Sequence, residues 1–79
     1  MNESQVVIEE VMRAAMDAAL KASARARSGD QHAAGQVYAY HNILDVFKQQ
    51  ADLIGLEIAD TELAEFNPDV LLQKPRLVA

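Results

Sequence analysis

Apolar and polar residues follow one another along most of this chain with the three- and four-residue spacing that places side chains on one face of an α-helix. In residues 3–27 the apolar and small positions of this first stripe are Ile8, Val11, Met12, Ala15, Ala19, Ala22 and Ala26. Glutamates near the amino end and arginines near the carboxyl end complement the helix dipole. The pattern therefore predicts a first helix over residues 3–27.

A short polar segment, Ser28-Gly29-Asp30, interrupts this pattern. Gly29 can adopt the left-handed conformation that ends a helix, and Asp30 can cap the helix that follows. Ser28 followed by Gln31 is an alternative capping box. Either arrangement gives a tight turn over residues 28–30, so we expect the two flanking helices to lie antiparallel.

Residues 31–58 carry a more regular apolar pattern. The main stripe of this segment advances by alternating steps of four and three residues through Ala33, Val37, Tyr40, Leu44, Phe47, Ala51, Ile54 and Ile58. This heptad spacing is typical of helices that pack side by side. It predicts a second helix over residues 31–58, with its bulky side chains packed over the alanine-rich stripe of the first helix.

A second stripe with the same spacing lies on another face of this predicted helix and consists of Gly35, Ala39, Asn42, Val46, Gln49, Leu53 and Leu56. One partner helix cannot cover both stripes. One interpretation is a partly exposed flank with scattered apolar residues, which is normal for a surface helix. The interpretation that we favour is a second packing surface, in which Asn42 and Gln49 set the register between helices.

The pattern changes in the tail, residues 59–79. Asp60 can cap one or two helical turns, and Asn67-Pro68-Asp69 is a typical helix start. The larger apolar residues of this tail include Phe66, Leu71, Leu72, Leu77 and Val78. A tail with this composition is too apolar to remain free in water, so we expect it to lie across the hairpin or across a partner.

These elements predict an all-α fold: one domain over residues 1–79, made of a long antiparallel helical hairpin and a short C-terminal helical or extended tail. A chain of 79 residues buries only a modest core, and oligomerisation commonly supplies the missing stability at this size. Two helices expose apolar surface on both sides of their shared plane. The simplest closed arrangement is a homodimer that forms a four-helix bundle.

Charge is distributed unevenly in this chain, whose formal net charge is −5. A basic patch formed by Lys21, Arg25 and Arg27 lies near the predicted turn, whereas acidic residues collect at the open end of the hairpin. Head-to-tail pairing of two hairpins would bring basic ends near acidic ends, which favours an antiparallel dimer. The negative net charge disfavours nucleic acid as a partner, because binding to phosphates requires cations.

Residues suited to catalysis or metal binding are sparse. His41 and Asp45 lie four residues apart and could reach one ligand, but two ligands do not make a zinc site, and we favour a solvent-facing polar pair. No nucleophile–base pattern or cofactor motif is present, so we expect no enzymatic activity, cofactor or bound metal. The chain has no cysteine and no apolar run near the roughly 20 residues that span a bilayer. We expect no membrane association and a cytoplasmic location.

The segment from Gly35 to Glu57, GQVYAYHNILDVFKQQADLIGLE, resembles part of small helical proteins that bacteriophages and prophages encode. Those proteins carry a similar run, G-x-x-x-A-Y-x-x-x-L-x-x-x-K-Q-Q-A-x-x-x-G-I/L, within their second helix. The resemblance implies a viral or prophage origin and hence a location in the host cytoplasm. It brings no catalytic residues with it.

Three hypotheses for function follow. The leading one is a non-enzymatic, phage-type protein–protein interaction or structural module that acts as a homodimer and binds a host or viral protein through the second stripe and the tail. The alternative is a small nucleic-acid-associated regulator that uses the basic turn. An acidic inhibitor that mimics nucleic acid ranks third, because a charge of −5 over this length gives a weak field.

Overall fold

The computed structural model describes residues 2–72, and all regular secondary structure in this range is helical. Two long helices, α1 (Glu3–Arg27) and α2 (Gln31–Leu53), form an antiparallel hairpin; α3 (Thr61–Glu65) and a 3-10 helix (Pro68–Leu72) fold back onto it. The all-α helical hairpin predicted from the sequence is therefore confirmed. Two of the apolar tail residues, Leu77 and Val78, lie outside the described range.

The turn between α1 and α2 is closed by Gly29 and Asp30. Gly29 has a φ of +101°, and the N–H of Asp30 donates to the carbonyl oxygen of Arg25 at 3.1 Å, as in a Schellman motif. The Asp30 carboxylate accepts the N–H of Ala33 at 3.1 Å and so caps α2. Asp30 is therefore the cap, rather than Ser28.

α2 ends at Leu53, before the boundary near Ile58 that the heptad spacing predicts. The reason is Gly55, which adopts a φ of +68°. This left-handed conformation is unfavourable for residues that have a Cβ atom. The N–H of Leu56 then donates to the carbonyl oxygen of Ala51 at 2.8 Å, which completes a second Schellman motif. The apolar spacing continues past this point, but the helix does not, and the chain turns back towards α1.

The core lies where the two long helices meet the tail. Its buried side chains are Met16, Ala19, Ala22, Val37, Leu44, Leu63 and Leu71. Leu44 of α2 and Leu63 of α3 are completely buried. Large side chains from α2 and the tail thus pack over the mainly small residues of α1, which agrees with the predicted division between a bulky and an alanine-rich helix.

Two residues of the predicted first stripe do not belong to this core. Ile8 is 47% exposed and Val11 is 56% exposed. Met16 is buried instead, and so is the charged residue Glu9. The tail contacts α1 beside Glu9, so the buried face of this helix is rotated towards the tail relative to the stripe in the sequence. No element of the described chain covers the other side.

Candidate interaction surface

A buried carboxylate holds the tail against one side of the hairpin. Glu9 of α1 accepts the backbone N–H of Ala59 at 3.0 Å and that of Asp60 at 2.7 Å, together with the side-chain amide of Gln5 at 2.8 Å. The Gln5 hydrogen bond is the largest cause that lowers the pKa of Glu9; the two backbone bonds lower it further, and the three bonds together outweigh desolvation. An ionised Glu9 therefore anchors the start of the tail at neutral pH.

Arg13, one turn along α1, forms a second anchor. Its Nη1 atom lies 3.1 Å from both carboxylate oxygens of Asp60, and its Nη2 atom lies 3.0 Å from Oε2 of Glu62. Asp60 also accepts the N–H of Leu63 at 3.1 Å and thereby caps α3. This capping bond is the main cause that lowers the pKa of Asp60, and the bond from Arg13 lowers it further. One carboxylate thus both starts α3 and ties it to α1.

Lys48 of α2 holds the other end of α3. Its Nζ atom donates to the carbonyl oxygens of Ala64 at 2.6 Å and Phe66 at 2.7 Å, and it lies 3.4 Å from that of Leu63. The last carbonyls of a helix have no partner within it, and a cation there is favourable for the helix dipole. No local pattern connects a lysine in α2 with carbonyls of the tail, so this contact could not be predicted from the sequence.

The side chain of His41 contacts the tail and does not contact Asp45. The Nε2 atom of His41 lies 3.0 Å from Oδ1 of Asp69 in the 3-10 helix, while Asp45 accepts the side-chain amide of Gln49 at 3.0 Å. The two residues considered as a ligand pair therefore have different partners. Among residues 2–72, no three His, Asp or Glu side chains come together in a way that could hold a metal ion.

The side of the hairpin opposite the tail carries exposed apolar side chains from both helices. Val11 lies two residues from both Glu9 and Arg13, and two residues rotate an α-helix by about 200°, so it points away from the tail. Ile43 bears the same relation to His41. We call this side the open face; its apolar residues are Val7, Ile8, Val11, Ala15, Ile43, Phe47 and Ile54. Ile43 is 48% exposed and Ile54 is 75% exposed, while Ala15 and Phe47 are half-buried.

The second stripe of α2 borders the open face and is also uncovered. Its exposed members are Gly35, Ala39, Asn42, Val46, Gln49 and Leu53. Leu56 departs from the predicted stripe, because it follows the end of α2 and is half-buried. The structure thus places the predicted stripe on the surface, and it also exposes Ile8 and Val11 of α1, which the sequence pattern had assigned to the core. Their exposure depends on the position of the tail, which periodicity does not reveal.

The three residues of the basic patch, Lys21, Arg25 and Arg27, are exposed at the turn end of the hairpin. The Nη2 atom of Arg25 donates to Oε1 of Gln36 at 3.2 Å. The ion pairs found within residues 2–72 involve only Arg13 and His41 as the basic partners. The charge of the patch therefore faces solvent.

No known protein family, curated protein or solved structure matches this chain. The resemblance to phage-encoded helical proteins therefore stays a prediction. In the part of the chain that the structure describes, none of the helices has the length and apolar character that crossing a membrane requires.

Proposed function

We propose that this protein is a non-enzymatic, phage-type interaction module that acts as a homodimer and binds a host or viral protein. Its contact surface would be the open face together with the second stripe of α2. The observation that carries the proposal is that the tail covers only one side of the hairpin. The tail is fixed to one side of the hairpin by Glu9, Arg13 and Lys48, while Val11 and Ile43 remain about half exposed on the other side.

The energetics of burial support this proposal. Complete burial of a Val or Ile side chain contributes about 1.5–3 kcal/mol relative to leaving it exposed. The five larger aliphatic residues of the open face, Val7, Ile8, Val11, Ile43 and Ile54, are all more than a third exposed. A small all-helical chain has few other sources of stability, so covering this face would add substantially to it. Contiguous exposed apolar residues commonly mark protein–protein contact sites.

Sedimentation equilibrium tests the homodimer directly. We expect the wild-type chain to sediment as a dimer at micromolar concentration. Val11→Glu and Ile43→Glu should give folded monomers, because each places a charge in the proposed interface. Tyr38→Glu is the matched control, since Tyr38 is 64% exposed on α2 but lies outside the open face. Circular dichroism of each variant separates loss of association from loss of folding, and a folded wild-type monomer would refute the proposed dimer.

The same variants test binding to a second protein. Affinity capture from host lysate, with identification of the bound proteins, compares the wild-type chain with Ile43→Glu and Tyr38→Glu. A protein that is retained by Tyr38→Glu but lost with Ile43→Glu binds through the open face or through the dimer that this face forms. Equal capture by all three chains would place the contact elsewhere.

The alternative is a nucleic-acid-associated regulator, and the exposed basic patch of Lys21, Arg25 and Arg27 favours it. Binding through these residues should weaken steeply as salt rises, because each phosphate contact releases counterions. Fluorescence anisotropy with a labelled DNA duplex at low salt measures this, with the triple replacement of the patch by glutamine as control. Absence of binding at low salt would dismiss the alternative.

A further inference from the structure

We infer that two copies of this chain pair through their open faces in antiparallel orientation, with α1 against α1 of the partner subunit, α2 against α2 of the partner subunit, and Ile43 close to the two-fold axis. This inference rests on the proposed homodimer. It specifies the partner of the open face as a second copy, and it fixes which helices meet.

Only two symmetric arrangements join two hairpins through the same face. A two-fold axis parallel to the helices places α1 over the partner's α2 and brings both turns to the same end. A two-fold axis perpendicular to the helices, within the interface plane, places each helix over its own copy and brings the turns to opposite ends. Both are closed, self-complementary dimers, so further observations must distinguish them.

Charge along the outer edge of α1 distinguishes the two arrangements. Glu3, Glu10, Lys21 and Arg25 are separated by nearly whole numbers of helical turns and therefore share this edge, which borders the open face. The acidic pair lies at the open end of the hairpin and the basic pair at the turn. All four are exposed, and none takes part in an ion pair within residues 2–72. Arg25 donates a hydrogen bond to the neutral side-chain amide of Gln36, which leaves its charge without an acidic partner there.

In the antiparallel arrangement this edge lies along the same edge of the partner, which runs in the opposite direction. The basic half of one copy therefore faces the acidic half of the other. Glu3 would lie within about one helical turn of the partner's Arg25. In the parallel arrangement this edge would face α2 of the partner, so its acidic and basic halves would not meet their counterparts. Exposed charges add little affinity, but charge complementarity across an interface fixes the register of the two partners. Charge complementarity therefore selects the antiparallel dimer.

The residues near the middle of the hairpin fit this arrangement. The turn at residues 28–30 places Ala15 and Ile43 at about the same height, close to the midpoints of α1 and α2. In α2, Ile43 would pack against the partner's Ile43, with Phe47 near the partner's Tyr40. In α1, alanines at positions 14, 15 and 18 leave room for two helices to approach closely.

Single cysteines test the axis, because the natural chain contains none. A disulfide requires the two Cβ atoms to lie within about 3.5–4.5 Å. Mild oxidation of Ile43→Cys should therefore give a covalent dimer, visible on a non-reducing gel, whereas Tyr38→Cys should stay monomeric on the same gel. An Ile43→Cys chain that sediments as a dimer but does not cross-link would overturn the position of the axis.

Spin labels test the orientation. Labels on Arg27→Cys, an exposed position outside this charged edge, should lie roughly 36 Å or more apart in the antiparallel dimer, because each is twelve residues from the centre of α1 at about 1.5 Å per residue. In the parallel dimer both labels would lie at the same end, separated only by the width of the bundle. A short distance between labels in a sedimenting dimer would refute the orientation while leaving the homodimer intact. A wild-type monomer by sedimentation would refute the homodimer itself, and the open face would then belong to a different protein.

Discussion

The carboxylate of Glu9 accepts the backbone N–H of Asp60 at 2.7 Å, although 51 residues separate the two along the chain. This bond fixes the point at which the tail, after leaving the end of α2, contacts α1. It explains why a charged residue of α1 is buried. It also decides which side of the hairpin the tail covers and, as a consequence, which side remains open.

Replacement of Glu9 should release the start of the tail. In Glu9→Ala the N–H groups of Ala59 and Asp60 lose their acceptor, so the free energy of unfolding should fall by about 1.5–3 kcal/mol, the contribution of a hydrogen bond to a charged group. Urea unfolding monitored by circular dichroism measures the free energy of unfolding. Glu65→Ala is the matched control, because Glu65 is exposed at the end of α3 and lies outside the proposed dimer interface, and surface substitutions usually change stability by less than about 0.5 kcal/mol. Equal effects of the two substitutions would contradict the anchoring role.

Stability should fall in acid as Glu9 and Asp60 become protonated. Hydrogen bonds lower both pKa values in the folded chain below the ordinary values of 4.5 for Glu and 3.8 for Asp. The unfolded chain therefore binds more protons over this range, so the stabilisation is present above about pH 4.5 and is lost as pH falls towards the folded-state pKa values. Melting temperatures at a series of pH values from 7 down to 3 should decrease below about pH 4.5.

The Glu9→Gln variant is the control for this pH dependence. Glutamine cannot ionise, so the part of the acid sensitivity that comes from position 9 should disappear, and the melting curve should depend less on pH than that of the wild-type chain. An unchanged decrease in melting temperature would show that other carboxylates account for the acid sensitivity.

Loss of the Lys48 side chain should loosen α3 without disturbing the centre of the hairpin. Lys48→Met retains the aliphatic part of the side chain but removes the donor to the carbonyl oxygens of Ala64 and Phe66. Amide hydrogen exchange should become faster around Leu63 and remain unchanged at Leu44, because local opening follows the loss of local contacts. Arg27→Met, at an exposed position near the end of α1 and outside the proposed dimer interface, should leave both rates unchanged.

The two glycines of the α2 region should respond to alanine in opposite directions. Gly55 has a φ of +68°, so Gly55→Ala should lower the free energy of unfolding by about 1–2 kcal/mol. Gly35 lies within α2, and no atom would obstruct an added Cβ; Gly35→Ala should therefore raise stability by about 0.4–1 kcal/mol. Urea unfolding of both variants measures these changes. A stabilising Gly55→Ala would contradict the Schellman motif at this end of α2.

Local patterns predicted several features of the fold correctly. The 3–4 spacing identified both long helices, and Gly29 and Asp30 identified the turn between them. The caps at Asp60 and at Asn67 were likewise foreseen, because a capping side chain bonds to an N–H only two or three residues away. The end of α2 was misplaced because apolar spacing continues to Ile58 beyond the glycine that stops the helix.

The sequence by itself determined the elements and most of their ends, because helix periodicity, caps and glycine conformations depend on residues within one or two turns. Only the tertiary structure decided that Glu9 is buried, that Lys48 caps α3 and that Val11 faces outward. Each of these outcomes depends on which side of the hairpin receives the tail. That choice arises from contacts between residues far apart in the chain, such as Glu9 with Asp60, and no local spacing encodes it.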